Sequence, residues 1–302
     1  LNKGRPEGKQ LTSEKAIDRL RTRTVDGLVV EPIYTKQDAA GDLGAPAAVP
    51  FTRGTTIRNG GMDAWDVRAL HEDPDIAVTR QAIRTDLERG ANSIWLRVDP
   101  DAIAASDVAT SLAEVLLDLA KVDVSSHTDQ VGAAEALLAV FEASDADKAE
   151  LSLNLGLDPI GAAALNGGTP DLSNVSQWVQ RLAGYSKSRA FVVDGTIYHN
   201  AGAGDVHEVA WLLATAVEYV RALVEQGVNV DDAFDSINFR VTAACDQVAT
   251  IARLRALRTA WARVGEVFEV SPAKRGARQH AVTSWREITR DDPYVNILRA
   301  TI

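Results

Sequence analysis

Histidine and cysteine, which often carry nucleophilic or metal chemistry, are scarce in this sequence. The one cysteine, Cys245, cannot form an internal disulfide or a multi-cysteine zinc site. It precedes a helix that begins at Asp246, where a thiolate could be stabilised, but we expect a buried, unreactive thiol because free cysteines are mostly buried. No two histidines have the spacing of helical metal ligands, so we predict no metal site; the five are His71, His127, His199, His207 and His280.

Motifs for phosphate binding and for ester hydrolysis are absent from the sequence. It has no Walker loop, no G-x-G-x-x-G after a strand and no G-x-S-x-G. The acidic segment HEDPD at 71–75 could bind a cation. Asp and Pro are common at helix starts, so we favour a solvated loop that caps a helix beginning at Ile76.

Short apolar runs typical of strands alternate with longer helical patterns along most of the chain. Seven runs read as strands, at 65–68, 93–98, 122–126, 151–155, 190–193, 237–241 and 279–283. Helical spacing of apolar residues follows between them, as from Val108 to Leu119, from Val209 to Leu223 and from Ile251 to Trp261. Such alternation requires parallel strands with right-handed crossovers.

The fold predicted from this alternation is an α/β barrel of the (β/α)₈ type, with seven of eight units visible. An open doubly wound sheet is the alternative. We expect the eighth strand to lie beyond the end of this chain. Residues 1–61 read as a helix that Ser13 caps and that continues through Arg23, followed by an extended wrapping segment, and 62–302 read as the barrel with its last unit truncated.

Composition excludes several classes of function. The 302 residues include 32 basic and 42 acidic side chains, a net charge of −10. A chain this acidic has no broad attraction for nucleic acid or for an anionic membrane, and no apolar run is long enough to cross a bilayer. One cysteine and no signal peptide lead us to expect a cytoplasmic protein.

Barrel enzymes keep their active sites at the C-terminal ends of the strands, and we expect a cluster of basic residues there. The cluster comprises Arg53, Arg58, His280 and Arg286, which could hold a phosphate. Acid–base groups are sparse after the other strands, and residues 149–180 contain no Lys or Arg. The residues by themselves predict a barrel without an evident catalytic set.

Several segments, in order and at matching spacing, make the sequence resemble the methylmalonyl-CoA mutase family over residues 27–302. They are GLVVEPIYTKQD at 27–38, PFTRG at 50–54, WDVRALHEDPD at 65–75, the stretch 200–234, ARLRALRTAWARV at 252–264 and TSWREITRDDPYVNILR at 283–299. The resemblance implies a barrel through which an acyl-CoA thioester threads. It also implies adenosylcobalamin bound by a separate domain and, in some bacteria, a heterodimer of a large catalytic chain and a small chain of similar fold.

The catalytic positions of that family are degenerate in this sequence. The resemblance calls for Tyr, Tyr, His and Gln where the chain has Gly60, Thr196, Ile197 and Val282. The nearby pair Tyr198-His199 is two places out of register, and the arginine for the substrate carboxylate has no counterpart. Arg53 and His280 match family positions and could form a residual pocket.

Asp205-Val206-His207 matches part of the Asp-x-His-x-x-Gly motif that cobalamin proteins use to replace the lower axial ligand. The sixth position holds Ala210 instead of Gly, and no Gly-rich loop follows. Asp205 and Glu208 have the spacing of an N-terminal capping box, which we favour.

These departures indicate a chain similar to the small, non-catalytic subunit of methylmalonyl-CoA mutase. The resemblance implies a large catalytic subunit as its partner in a heterodimer, with adenosylcobalamin bound by that partner and none by this chain. Two alternatives stay open: an active acyl-CoA mutase of altered specificity, and an acyl-CoA-sensing barrel in which Arg53 and Arg58 bind phosphates.

Overall fold

The computed structural model of the protein describes residues 2–39, 41–57 and 65–301. Gly60 and Arg58, two residues singled out from the sequence, lie outside the described residues. Among the described residues, no helix combines the length and the apolar character that a membrane crossing requires.

Seven parallel strands form one sheet whose spatial order follows the chain order, as a barrel of strand–helix units requires. The strands are β3 (Arg68–His71), β4 (Ser93–Arg97), β5 (Lys121–Ser125), β6 (Leu153–Leu157), β7 (Arg189–Asp194), β8 (Ile237–Ala243) and β9 (Gln279–Thr283). The ring of Trp95 on β4 lies 5.4 Å from that of His280 on β9, so the sheet is curled. The predicted barrel-type α/β fold is confirmed.

The strands alternate between an apolar outer face and a polar inner face. On β5, Val122 and Val124 are fully buried in the apolar core beneath the helices. Asp123 and Ser125 alternate with them and point into the barrel. A period of two along a strand produces this division, because successive side chains leave opposite faces.

The helices begin at side-chain caps where the sequence offers them. Asp75, Asp129, Asp158 and Asp246 each accept a hydrogen bond from a backbone N–H in the first turn of the helix that follows. The helices are α1 (Ser13–Asp18), α2 (Ile76–Glu88), α3 (Val108–Ser111), α4 (Gln130–Glu142), α5 (Pro159–Asn166), α6 (Ser176–Arg181), α7 (Thr196–Asn200), α8 (Asp205–Glu225), α9 (Val230–Asp235), α10 (Gln247–Val267) and α11 (Pro293–Thr301).

Two predicted helices are shorter than the apolar spacing indicated. The helix expected from Val108 to Leu119 ends at Ser111, whose hydroxyl donates to the Val108 carbonyl and competes with the helical pattern. The helix expected from Ser13 to Arg23 ends at Asp18, and Thr12 rather than Ser13 caps it. The chain then enters a short hairpin in which β1 (Thr22–Arg23) pairs antiparallel with β2 (Val29–Val30).

Strand boundaries also differ from prediction. The first strand of the barrel occupies 68–71 instead of 65–68, because Val67 hydrogen-bonds to Asn92 and pairing with β4 begins only at Arg68. The fourth occupies 153–157 instead of 151–155, and its pairing with β7 shifts register between Asn154 and Leu157.

Gly156 lies in that irregular part of β6 at φ +67°, and a Cβ there would stand 1.8 Å from the Val124 carbonyl oxygen. We predict that Gly156→Ala lowers the free energy of unfolding by about 4 kcal/mol or more, because β5 must move. Gly90→Ala is the matched control, since Gly90 has φ +109° and open space around it. Backbone strain alone should cost the control about 1–3 kcal/mol. Urea unfolding measures both, and equal losses would contradict the steric argument.

Candidate functional site

At the C-terminal mouth of the barrel, where the active site of a barrel enzyme would lie, the described residues line a small cavity. The cavity there has a volume of ≈ 30 Å³ and is lined by residues that include Ile197, Asp158 and Arg240. Arg240 donates to Asp194 Oδ2 at 2.6 Å, its partner in register on the neighbouring strand. Such a space holds about one water molecule and no substrate.

A second group of polar side chains fills the barrel interior below the mouth. Arg68 and Asn154 both donate to the buried carboxylate of Asp123. The guanidinium of Arg240 stacks on the ring of Trp95 at 4.1 Å. Burial raises the pKa of Asp123, and the charge of Arg68 opposes that shift. These five side chains lie in the barrel interior, and the contact between Arg240 on β8 and Trp95 on β4 crosses it.

His280, a residue of the predicted residual pocket, lies in the same interior. It pairs in register with Arg240 and meets the Trp95 ring edge-on. Burial, reinforced by the charges of Arg68 and Arg240, lowers the pKa of His280 to about 2. The imidazole is therefore neutral at physiological pH, and it donates no charge to a ligand.

The degenerate positions identified from the sequence are held in place by local contacts. Asp194 Oδ1 accepts hydrogen bonds from the Thr196 backbone N–H at 2.9 Å and from its hydroxyl at 2.6 Å. Ile197 borders the small cavity at the C-terminal mouth. Val282, on the half-buried strand β9, pairs in register with Thr242 on β8. The assignment of these positions, Gly60 included, as a lost catalytic set stays a prediction.

His199, set aside from the sequence as out of register, belongs to a buried polar cluster. Its Nε2 lies 2.8 Å from Ser284 Oγ, and its Nδ1 lies 3.5 Å from Glu208 Oε2. The sequence of contacts from Ser284 to His199 to Glu208 resembles the nucleophile, base and orienting acid of a catalytic triad. However, Ser284 is 3% exposed, and Arg253 already neutralises Glu208 at 2.7 Å. The cluster therefore joins α7, α8 and the end of β9 as a structural network.

Glu208 corrects one sequence interpretation. The predicted capping box at Asp205 and Glu208 is wrong. The N-cap residue of α8 is Gly204, and it makes no side-chain hydrogen bond to the first turn of the helix. Glu208 is instead fully buried and accepts from the Thr242 backbone N–H at 2.9 Å. Because Arg253 is buried, it needs a counter-charge, and Glu208 provides that charge instead of capping the helix. Only the tertiary contacts show this pairing.

Of the predictions made for Cys245 and for the acidic segment HEDPD, the first is wrong and the second is confirmed. The thiol of Cys245 is exposed, so the prediction of a buried thiol is wrong. The residue follows β8 on a turn where its N–H donates to Glu287, which leaves its side chain outside the core. The prediction of a capping loop before Ile76 is confirmed, since Asp75 accepts from Ala77 and Val78.

The predicted basic cluster is divided between the two ends of the barrel. Arg286 is at the C-terminal end, where it donates to the carbonyls of His199 and Ala203. Arg53 is at the opposite end, beside the starts of the strands, so its prediction is wrong. The irregular segment that carries Arg53 packs there through Phe51, which is 4% exposed, and through Thr52, whose hydroxyl is 3.0 Å from that of Thr259.

Arg53 borders a large cavity at this N-terminal end, with a volume of ≈ 1250 Å³. His280 forms part of its inner wall. Among the described residues that line it, seven are basic and one is acidic: Arg53, Arg68, Lys121, Lys187, Arg189, Arg258 and Arg278 against Asp66. The cavity could accept an anionic ligand, and none of the residues that line it also lines the small cavity at the C-terminal mouth.

Comparison with known proteins agrees with the resemblance seen in the sequence. The profile of the methylmalonyl-CoA mutase family matches residues 23–155 and 105–302. The chain is 62% identical over its full length to the methylmalonyl-CoA mutase small subunit of Propionibacterium freudenreichii subsp. shermanii, covering 48% of that relative. It is 40% identical to the small subunit of Streptomyces virginiae, over 99% of this chain and 48% of the relative. It is 24% identical to the methylmalonyl-CoA mutase of Escherichia coli (strain K12), over 96% of this chain and 45% of that protein. The chain thus spans about half the length of the curated relatives it matches.

The burial of His280 predicts how the free energy of unfolding depends on pH. The folded pKa is below the ordinary value of about 6.5, so below pH 6.5 the unfolded state binds a proton that the folded state does not. The contribution of neutral His280 to the free energy of unfolding is therefore present above pH 6.5 and is lost as the pH falls below that value. Between pH 7 and pH 5 the free energy of unfolding of the unmodified protein should fall by roughly 2 kcal/mol more than that of the His280→Phe variant. This variant keeps a ring against Trp95.

Urea unfolding at the two pH values measures this difference. Nuclear magnetic resonance of the imidazole provides a second readout, and it should show His280 neutral at pH 5. An imidazole that protonates with a midpoint near 6.5 would contradict its placement against Arg68 and Arg240.

Proposed function

The chain belongs to the methylmalonyl-CoA mutase family, and from this membership we propose that it is the small, non-catalytic subunit of a heterodimeric methylmalonyl-CoA mutase. In this proposal the complex interconverts methylmalonyl-CoA and succinyl-CoA, and a large subunit carries the chemistry. The small-subunit names of its relatives support the role of partner chain.

The observation that carries the non-catalytic role is the filled interior. The isomerisation would require the thioester to reach the C-terminal mouth, where its carbonyl needs a hydrogen-bond donor and its carboxylate a cation. Arg240 and Asp194 pair between the neighbouring strands β8 and β7 at that end, and Asp194 also accepts a hydrogen bond from Thr196. Asp194, at 2.6 Å from Nη1, already neutralises the charge of Arg240, while the buried Nε and Nη2 of Arg240 have no hydrogen-bond partner among the described residues.

The cofactor of the family is cobalamin, and we propose that the large subunit binds it. The residues of this chain do not fit the group. In the partial motif, His207 Nδ1 lies 2.6 Å from Asp26 Oδ1 and its ring lies against Trp211, on the outside of the barrel. The cavity of ≈ 30 Å³ at the C-terminal mouth is far smaller than a corrin ring.

The domain division also stays a proposal: an N-terminal segment over 1–61 and a barrel over 62–302 whose last unit is truncated. In the described sheet β3 and β9 are the terminal strands, each with one edge unpaired. An eighth parallel strand would pair with both edges. We also propose a cytoplasmic location, which the single free thiol supports.

Purified alone and supplied with adenosylcobalamin and methylmalonyl-CoA, the chain should produce no succinyl-CoA above background and should show no saturable cobalamin binding. Thr196→Tyr combined with Ile197→His should not restore turnover, because the glutamine and the arginine for the substrate carboxylate would still be missing. Co-expressed with the large mutase chain of the same organism, it should elute as a 1:1 complex in size-exclusion chromatography.

Turnover by the isolated chain would support the alternative of an active mutase of altered specificity. Two chains that elute separately at micromolar concentration would contradict the role of small subunit.

A second candidate function, acyl-CoA sensing, is favoured by one observation, the basic cavity of ≈ 1250 Å³ that Arg53 borders. Its cations could bind phosphates without any path through the barrel. Under the small-subunit proposal, calorimetric titration of coenzyme A into the isolated chain should give no saturable heat. Saturable binding that Arg53→Ala weakens about tenfold, while the exposed-surface variant Arg263→Ala leaves it unchanged, would favour the sensing function.

A further inference from the structure

The hairpin formed by β1 and β2 lies on the barrel with most of its side chains in solvent. Within residues 22–30, only Thr24 and Asp26 are not exposed. Each strand is two residues long, and an isolated two-stranded hairpin is at best marginally stable in water. The hairpin therefore needs contacts with the rest of the protein in order to stay folded.

Asp26 makes such a contact with the start of α8. Its side chain is only 2% exposed, although the turn that carries it lies at the surface. Asp26 Oδ2 accepts a hydrogen bond from the Val206 backbone N–H at 3.3 Å, and Oδ1 lies 2.6 Å from His207 Nδ1. Gly204 makes room for this carboxylate, since a Cβ on Gly204 would stand 2.3 Å from Asp26 Oδ1.

The carboxylate of Asp26 takes the place of a missing helix cap. Helix α8 begins at Asp205, and its N-cap residue, Gly204, has no side chain that could accept from the first turn. The first N–H groups of a helix have no partner within the helix, and a negative charge beside them is also favoured by the helix dipole. Asp26, 180 residues before Val206, supplies the acceptor that the local sequence lacks.

The same first turn of α8 also binds a buried cation on its inner side. Asp205 Oδ1 and Glu208 Oε2 each lie 2.7 Å from Arg253 Nη1 on α10. Arg253 is 3% exposed and also donates to the Thr242 carbonyl, near the C-terminal end of β8. Because a buried guanidinium depends on its counter-charges, the order of this turn affects the contacts of Arg253.

We propose that the hairpin is a latch with a docked and a released position, and that docking through Asp26 orders the first turn of α8 and the contacts of Arg253. In the docked position Asp26 caps the helix. In the released position the carboxylate is hydrated, the hairpin unfolds, and the uncapped turn frays. Such coupling is reciprocal, so a change on the barrel side of the turn also shifts the hairpin.

Asp26→Ala tests the latch by hydrogen exchange of the full-length chain, measured by mass spectrometry. Loss of an N-cap side chain changes an equilibrium about fivefold. Peptides over 22–30 and over 204–210 should therefore both exchange about fivefold faster. A peptide over α4, in the core, should be unchanged. Asp26→Asn should stay within about twofold of the unmodified chain, because asparagine accepts the same hydrogen bond.

The matched control is Asp75→Ala, since Asp75 caps α2 from the adjacent position in sequence. This variant should speed exchange at the start of α2 and leave the peptide over 22–30 unchanged. Acceleration of the hairpin in this control would show that loss of any cap releases it, which would overturn the specific role of Asp26.

Asp205→Asn tests the coupling from the barrel side, because it weakens the contact of the first turn with Arg253. The peptide over 22–30 should exchange about threefold faster in this variant. Hairpin exchange that Asp205→Asn leaves unchanged would overturn the coupling.

Three results would overturn the latch itself. They are hairpin exchange unchanged by Asp26→Ala, equal acceleration in Asp26→Asn, and equal acceleration over α4, which would indicate a global loss of stability. The small-subunit function is tested separately by co-elution with the large chain, so failure of either proposal leaves the other standing.

Discussion

Ionised side chains lie inside the barrel, and each must find a partner there because an unpaired charge away from water is costly. Arg68 and Asp123 form one such pair with Asn154 as a third member, and Arg240 and Asp194 form the other. The side chain of Asp123 is 1% exposed and that of Arg240 is 4% exposed. Removing one member would leave its partner charged and buried, so each pair stabilises the arrangement of the strands that it joins.

The proposed function depends on this constraint. A barrel of about eight strands has an interior just wide enough for its own side chains or for one narrow ligand. In this chain the pairs and the ring of Trp95 take that space, which separates the basic cavity at one end from the small cavity at the other. We propose that the fold has been kept as a scaffold for a partner. A shared fold without the reacting residues does not imply shared chemistry.

Much of the fold is predictable from the sequence, because parallel strands buried under helices leave a strong apolar pattern. Strand β9 has the bounds predicted, and β8 differs by two residues at its end. The interior pairs were not predicted, since Asp123 and Asn154, which are 31 residues apart in sequence, are brought together only by the register between their two strands. The position of Arg53 depends on the path of a long irregular arm, for which local pattern gives no rule. Glu208 shows the same limit: its spacing suits a helix cap, but the buried Arg253 decides its contact.

The measurement that tests this account most directly is a double-mutant cycle on Arg68 and Asp123. Arg68→Met, Asp123→Leu and the double variant would be unfolded in urea, and the coupling free energy between the two side chains would be taken from the four values. If the pair lies together inside the barrel, each single change leaves a buried group without its partner. The coupling should then be about 2 kcal/mol or more. A coupling within about 0.5 kcal/mol, as for an exposed ion pair, would contradict the filled interior on which the account depends.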